Sequence, residues 1–174
     1  MLETERLVLR RPSPNDADDL LELVGDEELM RWIGGGAGDR AVAVESIERW
    51  IGRWEANGVG QFAAVLDGHV IGRVGLLVWD ESSWETSTYE RAGTRAVTEL
   101  GWAIARRHWG HGYATEAARA VRAWAYEERA ISRLVSLIDP RNVRSIRVAE
   151  KLGAEPEQLV PTPHGPAVVW VHPR

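Results

Sequence analysis

Arg107, Gly110 and Gly112 stand at the start of an apolar helical pattern, and that combination suits an anionic ligand. In Arg107-His-Trp-Gly110-His-Gly112-Tyr-Ala114, the two glycines remove the Cβ atoms that would hold a phosphate away from the backbone. The first helical turn after them exposes free N–H groups at the positive end of the helix dipole. Two common phosphate loops fit this corner poorly. No lysine follows a glycine as GxxxxGK[ST] requires, and Thr115 stands where GxGxxG/A needs a small residue. Just upstream, Glu99 enters the run Leu100-Gly-Trp102-Ala-Ile104-Ala, where Leu100, Trp102 and Ile104 alternate with Gly101, Ala103 and Ala105. This period of two reads as a strand with one bare side. Burial there raises the pKa of a carboxyl group toward a range useful for accepting an ammonium proton; the alternative is a strand-end charge paired with Arg95. Farther on, Asn142 and Ser145 occupy the N-cap and N3 positions of a helix, where both can act purely locally.

The spacing Arg107-x-x-Gly110-x-Gly112-x-Ala114 resembles the pyrophosphate loop of the GNAT acetyltransferases. The run Asp139-Pro-Arg-Asn142-Val-Arg-Ser145 through Glu150-Lys-Leu-Gly153 is similar to that family's later helix. The opening Glu5-Arg-Leu-Val-Leu-Arg10-Arg11-Pro is similar to the first strand of the branch that includes ribosomal-protein N-terminal acetyltransferases. The matches cover most of the chain in the right order. The resemblance implies transfer of an acetyl group from acetyl-CoA to a primary amine by direct attack in a ternary complex. It also implies that the cofactor pyrophosphate lies on Arg107, Gly110, His111, Gly112, Tyr113, Ala114 and Thr115. Pantetheine would then run along Trp102, Ala103 and Ile104 and meet Asn142, and a backbone N–H near Trp102 or Ala103 would hold the oxyanion. Ser145 would protonate the leaving thiolate, with Tyr113 and Tyr126 as alternatives, and Glu99 would act as base. The implied acceptor is a peptide N-terminus or a small cationic amine. The acidic stretch Asp80, Glu81, Glu85 and Glu90 is expected to frame the acceptor entrance, with a wall around Trp50 and Trp54. The competing class is a non-catalytic acyl-CoA-binding module or regulatory protein, which has no chemical need to keep Glu99 and Ser145.

Composition bounds these readings. At 174 residues and 44% hydrophobic, the chain is expected to be a single domain over 1–174. A net charge of -5 without a long basic run argues against nucleic acid as a partner. No cysteine is present, so there is no thiolate nucleophile or disulfide framework, and five scattered histidines give no metal-ligand spacing. No apolar run approaches a membrane span and MLETERL is too charged for a secretory signal, so a cytoplasmic protein without a membrane partner is expected. A homodimer stays open.

The elements that must position these residues are expected in the order β-α-α-β-β-β-α-β-α-β-β. This is a mixed α/β fold with a mostly antiparallel twisted sheet and about four helices. A strand over residues 5–11 precedes a helix opened by Ser13-Pro14 and closed at Gly25, and Gly34-Gly-Gly36 with Gly38 reads as a flexible link. A second helix runs from Asp39 to Asn57-Gly58. Strands Gln61–Leu66 and His69–Trp79 are joined by Asp67-Gly68, a dipeptide suited to a two-residue hairpin. Residues 80–96 read as an extended, mobile polar insert. After the strand at Glu99 come a helix over 113–129, a strand Leu134–Ile138 and a helix over 143–152. Short strands at Leu159-Val160 and Ala167–Val171 complete the chain.

Overall fold

Alternating apolar residues build a nine-stranded sheet. The computed structural model describes residues 1–34 and 36–174, so the centre of the expected glycine link lies outside the described residues. The chain runs through β1 (Leu2–Glu3), β2 (Val8–Arg10), a 3-10 turn at Pro14–Ala17, α1 (Leu21–Val24), α2 (Glu27–Ile33) and α3 (Arg40–Asn57). It continues through β3 (Gln61–Leu66), β4 (His69–Asp80), β5 (Glu85–Thr86), α4 (Tyr89–Ala92), β6 (Ala96–Ile104), α5 (Tyr113–Glu127), β7 (Leu134–Ile138), α6 (Val143–Lys151), β8 (Glu155–Thr162) and β9 (Gly165–Val171). The strand order is β1-β2-β3-β4-β6-β7-β9-β8, with β5 added to β4. Pairing is antiparallel except between β6 and β7. The mixed, mostly antiparallel fold expected from the pattern is therefore the one observed. Asp67 (φ 50°) and Gly68 (φ 85°) make the expected tight turn between β3 and β4.

Each face of the sheet carries helices. On one face Leu23, Met30, Ile47 and Trp50 pack with Ala63, Val70 and Ala103. On the other, the three- and four-residue spacing of α5 brings Ala117, Ala118, Val121 and Trp124 against Phe62, Leu76 and Leu100. Leu100 is fully buried, so Leu100→Ala is expected to cost about 2–5 kcal/mol. Six helices are present among the described residues, and two of them, α1 and α4, are single turns of four residues.

The sheet opens where β6 and β7 part. Their register holds only at Thr98↔Leu134 and Glu99↔Val135, while β6 stays paired to β4 as far as Ile104. At the parting point the Ser136 hydroxyl donates to the Leu100 carbonyl at 2.6 Å and lies 2.8 Å from His172 Nε2. A side chain thus satisfies a carbonyl whose ladder partner is gone. Beyond it β7 follows β9 as far as Ile138↔Val168.

Several segments differ from the sequence expectation. The first helix is broken into a 3-10 turn and α1: Asp16 accepts from Ser13 N–H at 2.8 Å and from Arg10 at 2.8 and 2.6 Å, closing a short capping box. Helix α2 was not anticipated, although Asp26 caps it by accepting from Leu29 N–H at 3.1 Å. Residues 80–96 contain β5 and α4 and are anchored to the rest of the fold. Trp84 and Ala92 are buried, and Asp80 pairs with Arg95 at 2.9 Å. The tail strands extend beyond their apolar kernels to pair from Glu155 to Val171.

Candidate active site

The free edge of β6 connects two cavities. At its C-terminal end the Trp109 indole N–H donates to the Ile104 carbonyl at 2.6 Å, and the chain then turns through Gly110 (φ 81°) and Gly112 (φ 83°). Both conformations favour glycine. Gly112 is the N-cap of α5 and supplies no side-chain cap, and Glu116 N–H donates to the Gly112 carbonyl at 3.0 Å. The amides of Tyr113, Ala114 and Thr115 precede that bond and have no helical acceptor. A cavity of about 340 Å³ lies against them, lined by Trp102, Ala103, Ile104, Gly110, Gly112, Tyr113, Ala114, Thr115, Asn142 and Ser145. Helix α6 forms the opposite wall with Arg144, Arg147 and Lys151.

Two side chains of the expected loop point elsewhere, although what is expected of His111 is its backbone N–H and not its ring. The Arg107 guanidinium pairs with Glu22 at 2.5 Å and donates to His108 Nε2 at 2.9 Å, and it does not line the cavity. The His111 ring lies 2.9 Å from the Trp109 carbonyl and stacks on Tyr113, while its own carbonyl accepts from Arg6 at 2.9 Å. Conversely, Arg144, Arg147 and Lys151, none of them expected at the site, line this cavity. Their spacing of three and four residues puts them on one face of α6, a basic stripe visible in the sequence.

The second cavity, about 410 Å³, opens from the other end of the free edge and is lined by Glu99, Trp79, Arg73, Arg53, Arg49 and Trp50, among others. Glu99 is only 8% exposed. Its carboxylate accepts from Trp79 Nε1 at 2.6 Å, and the Leu137 backbone amide also favours its charged form. Burial raises its pKa above the ordinary carboxylate value, against the opposing pull of Trp79, Arg73 and that amide. Trp32, Ile33, Trp102, Asn142 and Ser145 line both cavities, so they mark the junction. Asn142 caps α6 by accepting from Ser145 N–H at 3.2 Å. That bond uses the Ser145 backbone and leaves its hydroxyl at the junction.

Strand geometry selects one amide there. The Leu100 carbonyl meets Ser136 and the Ile104 carbonyl meets Trp109, while Ala105 N–H turns inward to the Ile71 carbonyl. Alternation therefore directs the Trp102 N–H and carbonyl to the free edge and those of Ala103 to β4. The tyrosine alternatives separate as well. Tyr126 donates to the His172 carbonyl at 2.8 Å and lines neither cavity, and Tyr113 lines only the cavity at the α5 start.

The expected acidic entrance is not found. Asp80 pairs with Arg95 and Glu81 with Arg133, and neither these nor Glu85 and Glu90 line the 410 Å³ cavity. Trp50 lines it, whereas Trp54 is turned into the core and donates to the Gln61 carbonyl at 2.8 Å. Among the described residues no group of three or more His, Asp or Glu could hold a metal ion, and no helix is long and apolar enough to cross a membrane.

Comparison with known proteins bears on these cavities. The sequence profile of the acetyltransferase (GNAT) domain matches residues 6–155. An uncharacterized Bacillus subtilis protein, YkkB, is 45% identical over 76 residues, a match that spans 44% of this chain and 44% of that protein. The aminoglycoside N(6')-acetyltransferase type 1 of Klebsiella pneumoniae is 28% identical over 174 residues, 98% of this chain and 84% of the relative. Among solved structures, an acetyltransferase from Agrobacterium tumefaciens superposes with a TM-score of 0.79 at 28% identity, covering 99% of this chain and 94% of the other. AAC(6')-Ib in complex with parmomycin and acetyl-CoA gives 0.77 at 24%, covering 98% and 94%. A structure described as a ribosomal-protein-serine acetyltransferase of Vibrio cholerae gives 0.73 at 23%, covering 98% and 94%.

Proposed function

Since this chain belongs to the GNAT acetyltransferase family, we propose that it transfers the acetyl group of acetyl-CoA to a primary amine by direct attack within a ternary complex. One observation carries the reading: the free edge of β6 joins the uncapped start of α5, with its glycines at positive φ, to the cavity that holds buried Glu99. The solved relative with acetyl-CoA bound supports that cofactor. On this reading the amides of residues 113–115 receive the pyrophosphate, whose negative charge suits the helix start. Arg147 and Lys151 add charge on the facing wall, where Arg144 is paired with Glu28 at 2.7 Å. Pantetheine lies along Trp102 to Ile104 as an added strand and brings the thioester to the junction.

The chemistry then falls to four groups. The amine nitrogen attacks the thioester carbonyl from the Glu99 side. Glu99, its pKa raised by burial, takes the ammonium proton directly or through water. The developing oxyanion meets the Trp102 N–H, and a preorganised donor at such a point contributes about 3–4 kcal/mol when tested by removal. The carbon–sulfur bond breaks, and the Ser145 hydroxyl gives the thiolate its proton. The acceptor is a small amine or a peptide N-terminus; the ribosomal-protein branch favours the peptide only through a distant fold likeness.

The test is thiol release from acetyl-CoA over a panel of primary amines, with the amide product identified by mass. Product formation by the wild type, with Glu99→Gln lowering kcat and leaving cofactor affinity unchanged, is the expected result. Tight coenzyme A binding with no acetylated product over the whole panel would instead identify a binding module.

A further inference from the structure

The cavity that receives the acceptor is strongly basic. Its lining includes Arg31, Arg49, Arg53 and Arg73 against the carboxylates Glu99 and Asp139. Asp139 is already engaged by Arg141 at 2.7 Å. Arg73 donates to Gln61 Oε1 at 2.9 Å and Arg49 to Ser46 Oγ at 3.0 Å, both neutral acceptors. Arg53 has no hydrogen-bond or ion-pair partner among the described residues. None of the three reaches Glu99 within ion-pair distance, although Glu99 attracts Arg73 and Arg53 through space.

Three guanidinium groups therefore share one cavity without a carboxylate ion pair. Arg49 and Arg53 stand one helical turn apart on α3, a like-charge spacing that destabilises a helix. Burial first, and then Arg53 and Arg49, pull the Arg73 pKa down to about 10 in spite of Glu99. Several arginines elsewhere do have carboxylate partners: Arg10 with Asp16, Arg95 with Asp80, Arg106 with Asp26 and Glu28. The cavity is also of a size that suits a small molecule.

We propose that the acceptor is a small primary amine carrying an anionic group on the same molecule, a carboxylate or a phosphate, seated by Arg49, Arg53 and Arg73 while its amine faces Glu99. This rests on the acetyl-transfer reading above and narrows it. A guanidinium fork matches either anion. The zwitterion then meets opposite charges at the two sides of the cavity, and a polycationic amine meets repulsion.

The experiment compares matched amines with acetyl-CoA: an amino acid, its carboxamide and the decarboxylated amine; phosphoethanolamine against ethanolamine; and kanamycin as a polycation. The anionic member of at least one set is expected to exceed its neutral partner in kcat/KM by about tenfold or more, as for loss of a charged hydrogen bond. Which set shows the preference identifies carboxylate or phosphate. Arg53→Gln and, separately, the surface-exposed Arg49→Gln should reduce that preference through KM with kcat kept, in protein whose thermal unfolding matches wild type. Preference for the neutral amines or for kanamycin would overturn the proposal while leaving acetyl transfer intact. If no amine is acetylated, calorimetric titration of the same compounds into the coenzyme A complex decides. Binding of the anionic member that depends on Arg53 supports the proposal although transfer fails, and equal binding of charged and neutral members overturns it.

Discussion

The carboxylate of Glu99 is held by a single side-chain donor, and that donor makes its role measurable. Trp79 Nε1–H at 2.6 Å favours the charged form and opposes the rise caused by burial. Trp79→Phe removes the donor, so the pKa should climb further and the base should become available only at higher pH. The acid limb of the kcat profile is expected to move upward, with the alkaline plateau retained. An unmoved limb would mean that Glu99 does not carry the proton. Glu99 was legible in the sequence because an acid stood in an otherwise apolar strand. Arg53 and Arg73 were not legible, because each lies in a segment whose pattern shows only that it is a helix or a strand. What their side chains face depends on how α3 crosses β4. The orientation of Arg107 was hidden for the same reason: its partner, Glu22, is distant in sequence.

At the scale of elements, the strand, the glycine corner and the helices α5 and α6 were readable from periodicity and caps. Helix α2 was not, since its seven residues are too short for a convincing stripe. It nonetheless brings Trp32 and Ile33 to both cavities. The parting of β6 and β7 could not be read at all, because period-two patterns say nothing about where a ladder ends. Its fastening predicts a pH dependence. His172, buried beside Ser136, has its pKa lowered from 6.5 to about 4, chiefly by desolvation and then by Arg122. The unfolded chain binds this proton more readily, so the neutral ring's contribution is complete above about pH 6.5 and is lost as pH falls through about 4. The full span is on the order of 3 kcal/mol. Denaturant melts of wild type and His172→Gln between pH 7 and pH 4 should show their stability difference shrinking as pH falls; a constant difference would contradict the assignment. The glycine corner makes a separate prediction. A Cβ on Gly112 meets only Arg6 Nη2 at 3.6 Å, an ordinary contact, although φ is 83°. Gly112→Val therefore has room but strains the backbone, so it should lose roughly 1–3 kcal/mol of stability, and it should lose coenzyme A affinity by about tenfold or more because its side chain covers the amides. Wild-type affinity by calorimetry in the folded variant would remove the phosphate site from α5.

For the molecule as a whole, charge is distributed against its average. The chain carries -5 overall, yet its two cavities are lined with arginines and its only lysine, Lys151. Composition excluded thiol chemistry from the sequence alone, but a net charge could not show which face holds the cations. The two cavities meet at Trp102, Asn142 and Ser145, an arrangement that suits the proposed ternary complex. With no cysteine, no acetyl-enzyme is expected, and intact mass after incubation with acetyl-CoA alone should be unchanged. The most direct test of the central claim is the stoichiometry of thiol released against amine acetylated, measured on the wild type and on Gly112→Val. The account predicts one thiol for each acetylated amine, with both signals lost together in the variant at limiting acetyl-CoA. Coenzyme A that binds at the α5 start while no amine is ever acetylated would contradict it.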